Sequence, residues 1–77
     1  MGKLKVISGR DLAKLFEKLG WVEIRHKGSH IIMIKPGEII TLSIPDHNEV
    51  AKGTLRSLIR SAGITIDEYN NALIDLY

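Results

Sequence analysis

The sequence predicts an α+β fold, a two-layer sandwich. A three-stranded antiparallel sheet carries helices on one face, in the order α-β-β-β-α-α. Three observations predict it. Apolar stripes at helical spacing (Leu12, Leu15, Phe16, Leu19, then Leu55, Leu58, Ile59, Ala62) flank a middle segment of β-branched runs. Those runs are joined by connections as short as Lys27-Gly28-Ser29 and Pro36-Gly37, so neighbouring strands must be antiparallel. A chain of 77 residues has room for one core, read as one domain over 1–77, and helices flanking such a meander must cover one of its faces.

Each element has a local cause. Met1–Ile7 has no distinct periodicity and reads as a lead-in. Ser8 can cap the first helix, with Asp11 three residues on, and Gly20 follows where the helix should stop. Trp21–His26 alternates as a first strand, with Val22 and Ile24 expected on the core face and Glu23 and Arg25 opposite. His30–Lys35 is a second strand. Pro36-Gly37 presets a turn, and Glu38–Ile44 is expected as a third strand, with Ile40, Leu42 and Ile44 on one face and Thr41 and Ser43 on the other. Asp46–Ala51 is a polar loop. The next helix is expected to start around Gly53-Thr54 and to end at Gly63, with Lys52, Arg56 and Arg60 forming a basic ridge at i, i+4 spacing. Thr65-Ile66-Asp67-Glu68 is a capping box, opening a third helix with Ile66, Tyr69, Leu73 and Leu76 on its stripe. This layout matches the double-stranded-RNA-binding-domain type of fold, which reads RNA by shape and phosphate contacts.

Composition narrows the chemistry. The chain has no cysteine, which removes disulfides, thiolate-held metals and thiol nucleophiles. No apolar run approaches the roughly 18 residues of a membrane span, and no signal-peptide core is evident, so a soluble, cytoplasmic protein without membrane contact is expected. The net charge of +2 hides a gradient: residues 1–63 carry +5 and residues 64–77 carry −3, a balance that favours an anionic partner for the body of the chain. Holding a metal with three scattered histidines, His26, His30 and His47, would need the fold to gather them, so no metal and no cofactor is expected.

The stretch Lys27-Gly28-Ser29-His30 is the sharpest local feature. Glycine permits close backbone approach, serine brings a hydroxyl, and Arg25 and Lys27 stand beside a histidine whose place a strand would fix. RNA cleavage needs a base for the 2′-OH proton, an acid for the 5′-oxygen and a cation for the phosphorane, and imidazole suits the first two. The plainer alternative is a histidine at the sheet margin, sharing parity with Ile32 and Ile34, and spacing alone does not separate the two. His47 reads either as a solvated loop residue or as an auxiliary acid/base or phosphate contact. Lys52, Arg56 and Arg60 read either as a soluble surface or as a phosphate track. Trp21 reads as core.

Taken together, Gly20-Trp21, the run Arg25–His30, the loop Pro45-Asp46-His47-Asn48 and the segment Lys52–Gly63 resemble HicA, a family of small mRNA-interferase toxins from bacterial and archaeal toxin–antitoxin pairs. The resemblance spans Ser8 to about Thr65. It implies metal-independent cleavage of mRNA, with His30 as the catalytic residue and Gly28 and Ser29 in the same motif. It also implies a HicB-type antitoxin that covers this region. Lys27, Gly28, Ser29, Lys52, Arg56 and Arg60 are then candidate RNA contacts, and a homo-oligomer is compatible with the sequence. A non-catalytic RNA-binding module is the alternative from another class. A third reading is a protein-binding role through the terminal helix.

Overall fold

The computed structural model describes residues 4–76. Its elements are α1 (Gly9–Lys18), β1 (Val22–Lys27), β2 (His30–Ile34), β3 (Leu42–Pro45), α2 (Lys52–Ser61) and α3 (Ile66–Leu76). The strands form one antiparallel sheet in the order β1-β2-β3. The first helix packs against all three strands and α3, while α2 packs against β3. The layout is the expected α+β two-layer sandwich.

Capping chemistry sets the helix ends. The Ser8 hydroxyl accepts the Asp11 backbone N–H at 3.1 Å. At the far end of α1, Gly20 takes φ 100°, a conformation costly for any residue with a β-carbon. Its N–H donates to the Glu17 carbonyl and that of Trp21 donates to the Phe16 carbonyl, the paired bonds of a Schellman motif. The accompanying apolar contact is Trp21 edge-on to Phe16, with ring centroids 6.3 Å apart. Trp21 is buried and its indole nitrogen has no hydrogen-bond partner. Burying the ring contributes about 4–6 kcal/mol, which outweighs about 1–3 kcal/mol for the stranded N–H. For α3 the capping box is complete: the Thr65 N–H donates to Glu68 Oε1 at 2.8 Å and the Glu68 N–H to Thr65 Oγ1 at 3.0 Å.

The core lies between the layers. Ile31, Met33, Leu42 and Ile44 from the sheet meet Leu12, Leu15 and Phe16 of α1, Leu55 and Ile59 of α2, and Tyr69 and Leu73 of α3. The Tyr69 hydroxyl donates to the Lys5 carbonyl, fixing α3 to the segment that precedes α1.

Three local expectations are corrected. Val22 and Ile24 are each 49% exposed instead of facing the core. The β1–β2 register slips between Glu23 and Arg25, leaving Ile24 as the extra residue of a bulge, so Glu23 and His26 sit on the helix side and Val22, Arg25 and Lys27 on the open side. The third strand begins at Leu42, not Glu38. Pro36-Gly37 makes its turn, with Gly37 at φ 88° and the Glu38 N–H on the Lys35 carbonyl, but Ile39 is 99% exposed and the chain rejoins the sheet only after Thr41. The second helix starts at Lys52, ahead of the expected Gly53-Thr54, with Ala51 at its N-cap position and no side-chain cap.

Gly9 has the closest surroundings of the glycines among the described residues. A β-carbon placed on it would stand 1.9 Å from the Pro45 carbonyl oxygen. Alanine elsewhere in a helix gains about 1 kcal/mol over glycine, but here a backbone shift must outweigh that gain. Gly9→Ala is expected to lower stability by about 1–3 kcal/mol, read as a lower urea midpoint with an unchanged slope; an unchanged or higher midpoint would refute the close packing.

Candidate functional site

The bulge and the register together place one set of side chains on the open face of the sheet. Lys27 pairs with His30 and His30 with Pro45, forming one transverse row; Arg25, Ile32 and Ser43 form the next; Val22 and Ile34 pair beyond it. Residues directly opposite one another hold their β-carbons about 4.5–5.5 Å apart, so an imidazole, an ammonium and a guanidinium are grouped by backbone geometry alone.

The two-residue connection Gly28-Ser29 sharpens the edge of this group. Gly28 has φ 59° and Ser29 does not take a positive φ, the pattern of a type II′ hairpin turn, which favours glycine first. The turn brings its backbone and the Ser29 hydroxyl to the rim of a hollow of about 640 Å³. Arg25, Lys27, His30, Ile32, Thr41 and Ser43 complete its lining. His30, Arg25, Lys27 and Ser29 are all exposed. The plain alternative of a half-buried margin histidine therefore does not describe His30, although its parity with Ile32 and Ile34 is as expected.

The other candidates lie elsewhere. Lys52, Arg56 and Arg60 are exposed on α2, in the helix layer, and do not line the hollow. His47 is exposed in the loop after β3, two residues beyond the partner of His30, and its carbonyl accepts the Gly9 N–H at 2.9 Å. His26 and His30 are four residues apart, a spacing that on a helix would make a metal pair, but strand alternation puts them on opposite faces of the sheet. Among the described residues no three His, Asp or Glu side chains converge on one point.

Thr41 and Ser43 were legible only as the polar side of an alternating strand, and nothing in that pattern aimed them at His30. A cluster on the helix-side edge had no sequence signal. Asp46 Oδ2 lies 3.3 Å from His26 Nε2 and 3.5 Å from an Arg10 guanidinium nitrogen, and Arg10 also reaches Glu23 at 3.3 Å. These four residues come from α1, β1 and the loop after β3.

An open, basic sheet face around one histidine suits a protein that acts on an extended ligand laid across its surface rather than on a small molecule enclosed in a pocket. The chain belongs to the HicA toxin family of bacterial toxin–antitoxin systems, whose family model matches residues 9–64. That span holds the hollow and α2 and stops before α3. A chain from a solved toxin–antitoxin complex of Streptococcus pneumoniae is 37% identical, with a TM-score of 0.67. The match covers 75% of this chain and 98% of that one. No curated protein sequence gives a significant match. No helix among the described residues is long and apolar enough to cross a membrane.

Because His30 projects from the open face and holds up no part of the core, its removal leaves the fold alone. His30→Ala is expected to change unfolding free energy by no more than about 0.5 kcal/mol in a urea titration. A loss several times larger would show a structural duty.

Proposed function

We propose that the chain is a cytoplasmic endoribonuclease toxin that cleaves mRNA without a metal ion, with His30 as general acid/base. The observation that carries this reading is the exposed His30 imidazole set between Lys27 and the Gly28-Ser29 turn, on the same open face as Arg25. In the reaction, a ribose 2′-oxygen attacks the adjacent phosphorus while its proton passes to a base. The bond from phosphorus to the 5′-oxygen breaks, and that oxygen takes a proton from an acid. The products are a 2′,3′-cyclic phosphate and a 5′-hydroxyl. His30 supplies one proton transfer, and Arg25 and Lys27 balance the charge that builds on the phosphorane. His47, the Ser29 hydroxyl or water supplies the other. Thr41 and Ser43 offer hydroxyls to the sugar and phosphate, and Lys52, Arg56 and Arg60 extend the phosphate contacts along α2.

The toxin family and the solved toxin–antitoxin complex support a protein partner, and we assign it as a HicB-type antitoxin that covers the open face. An extended strand of RNA and an antitoxin would then compete for the same exposed surface.

Purified protein incubated with RNA in EDTA is expected to cleave it. His30→Ala should lower kcat by about 10²–10⁴-fold while the variant stays folded and abolish growth arrest on expression. Full activity in that variant would remove His30 from the mechanism, and RNA bound but never cut by the wild type would leave a non-catalytic binding module. Replacing Arg25 and Lys27 together by glutamine should flatten the slope of log affinity against log salt by roughly 1.4 on single-stranded RNA, about 0.7 for each phosphate no longer neutralised. An unchanged slope would take both residues out of the RNA path.

A further inference from the structure

We infer that Asp46 is the positioning residue for His30, holding the hairpin turn that carries the histidine against the start of α1. This rests on the ribonuclease reading above, since it identifies what keeps that reading's acid/base in place. His30 is the first residue after a two-residue turn, and a short hairpin end without further support frays. Here it is supported on its inner side. The Asp46 N–H donates to the Ser29 carbonyl at 2.7 Å, adding one hydrogen bond to the sheet just beyond the His30–Pro45 pair. The same residue's carboxylate takes hold of two other elements. It lies 3.3 Å from His26, which directly precedes Lys27 on β1, and 3.5 Å from Arg10 in the first turn of α1. Arg10 in turn reaches Glu23, at the other side of the β1 bulge.

The loop cannot drift away from these partners, because the Gly9 N–H holds the His47 carbonyl at 2.9 Å and Pro45 lies against Gly9. One residue therefore joins the turn through its backbone and both the bulged strand and the helix through its side chain. The helix-side edge of the sheet thus fixes a histidine that works on the opposite face. These side-chain contacts are partly exposed, with the Asp46 side chain 30% and that of His26 38% accessible, so they add little to global stability and their loss leaves a folded protein. Position is a different matter. A catalytic group misplaced by about 1 Å can cost up to about 10²-fold in rate.

The test uses the full chain and the variants Asp46→Ala, Asp46→Asn and His26→Ala. Asp46→Ala should lower kcat for RNA cleavage by about 10-fold or more with KM within about twofold. Asp46→Asn, which keeps an acceptor oxygen, should recover part of that loss. Asp46→Ala and His26→Ala combined should lose less than the product of the two single effects, as coupled residues do. Independently of activity, hydrogen exchange at the residue 46 amide should quicken in Asp46→Ala while the amides of β2 keep their protection. Full kcat in Asp46→Ala, in a protein whose cleavage does require His30, overturns the positioning role and leaves the ribonuclease reading standing. If His30→Ala cleaves as well as the wild type, that reading fails and the exchange data decide alone. Unchanged exchange at residue 46, or loss of protection throughout β2, overturns the proposal.

Discussion

Gly9 sits where the backbone of α1 runs directly against the backbone at the end of β3, and a β-carbon there would overlap the Pro45 carbonyl. That approach is what lets a helix reach all three strands of so small a sheet. With Ser8 capping the helix one residue earlier, and the Gly9 N–H turned outward to the His47 carbonyl, the first turn of α1 is both a helix start and an anchor for the loop after β3. Everything beyond it follows in register: Pro45 opposite His30, His30 opposite Lys27, and the turn between them.

The sheet that results has two faces with separate duties. Ile31, Met33, Leu42 and Ile44 point to the helices and are fully buried, while the open face holds His30, Arg25, Lys27 and the β3 hydroxyls. The bulge at Ile24 is what sends Arg25 to that open face; an unbroken strand would have put it on the same side as Glu23. The charge gradient divides in a similar way. Arg25 and Lys27 line the hollow, whereas two of the three acids beyond residue 64, Asp67 and Glu68, sit in the first turn of α3, where the helix dipole favours them and Glu68 closes the capping box. The acidic end of the chain is thus in part a helix start, and it does not cancel the positive character of the hollow.

Features encoded within a few residues were legible in the sequence. The Ser8 cap, the Gly20 stop, the Thr65–Glu68 box and the Gly28-Ser29 turn each depend on neighbours no more than a handful of positions away. The Lys27-Gly28-Ser29-His30 stretch stood out for the same reason. What could not be read was set by contacts across the fold. The bulge leaves no mark in the alternation of Trp21–His26, so Val22 and Ile24 pass for core residues. Glu38–Thr41 has the composition of a strand but meets no partner until Leu42, and continuing the register would carry Glu38–Ile40 past Ile34, where β2 ends. Arg10, Glu23, His26 and Asp46 look like four unrelated surface polar residues until the sheet and α1 bring their side chains within 3.3–3.5 Å of one another. The hollow's third wall, Thr41 and Ser43, was visible as a polar face without a destination.

The division between the two faces also has a consequence over evolutionary time. Residues on the open face hold up no part of the core, so they can change at little expense in stability. Lineages of this chain can drift in what they recognise while the scaffold stays as it is. If His30 acts as proposed, the same freedom makes the chain easy to disarm: one substitution there would leave a protein that still folds and still presents most of its outer surface. A silenced copy of this kind would remain in the cell as a well-folded competitor for whatever binds that face.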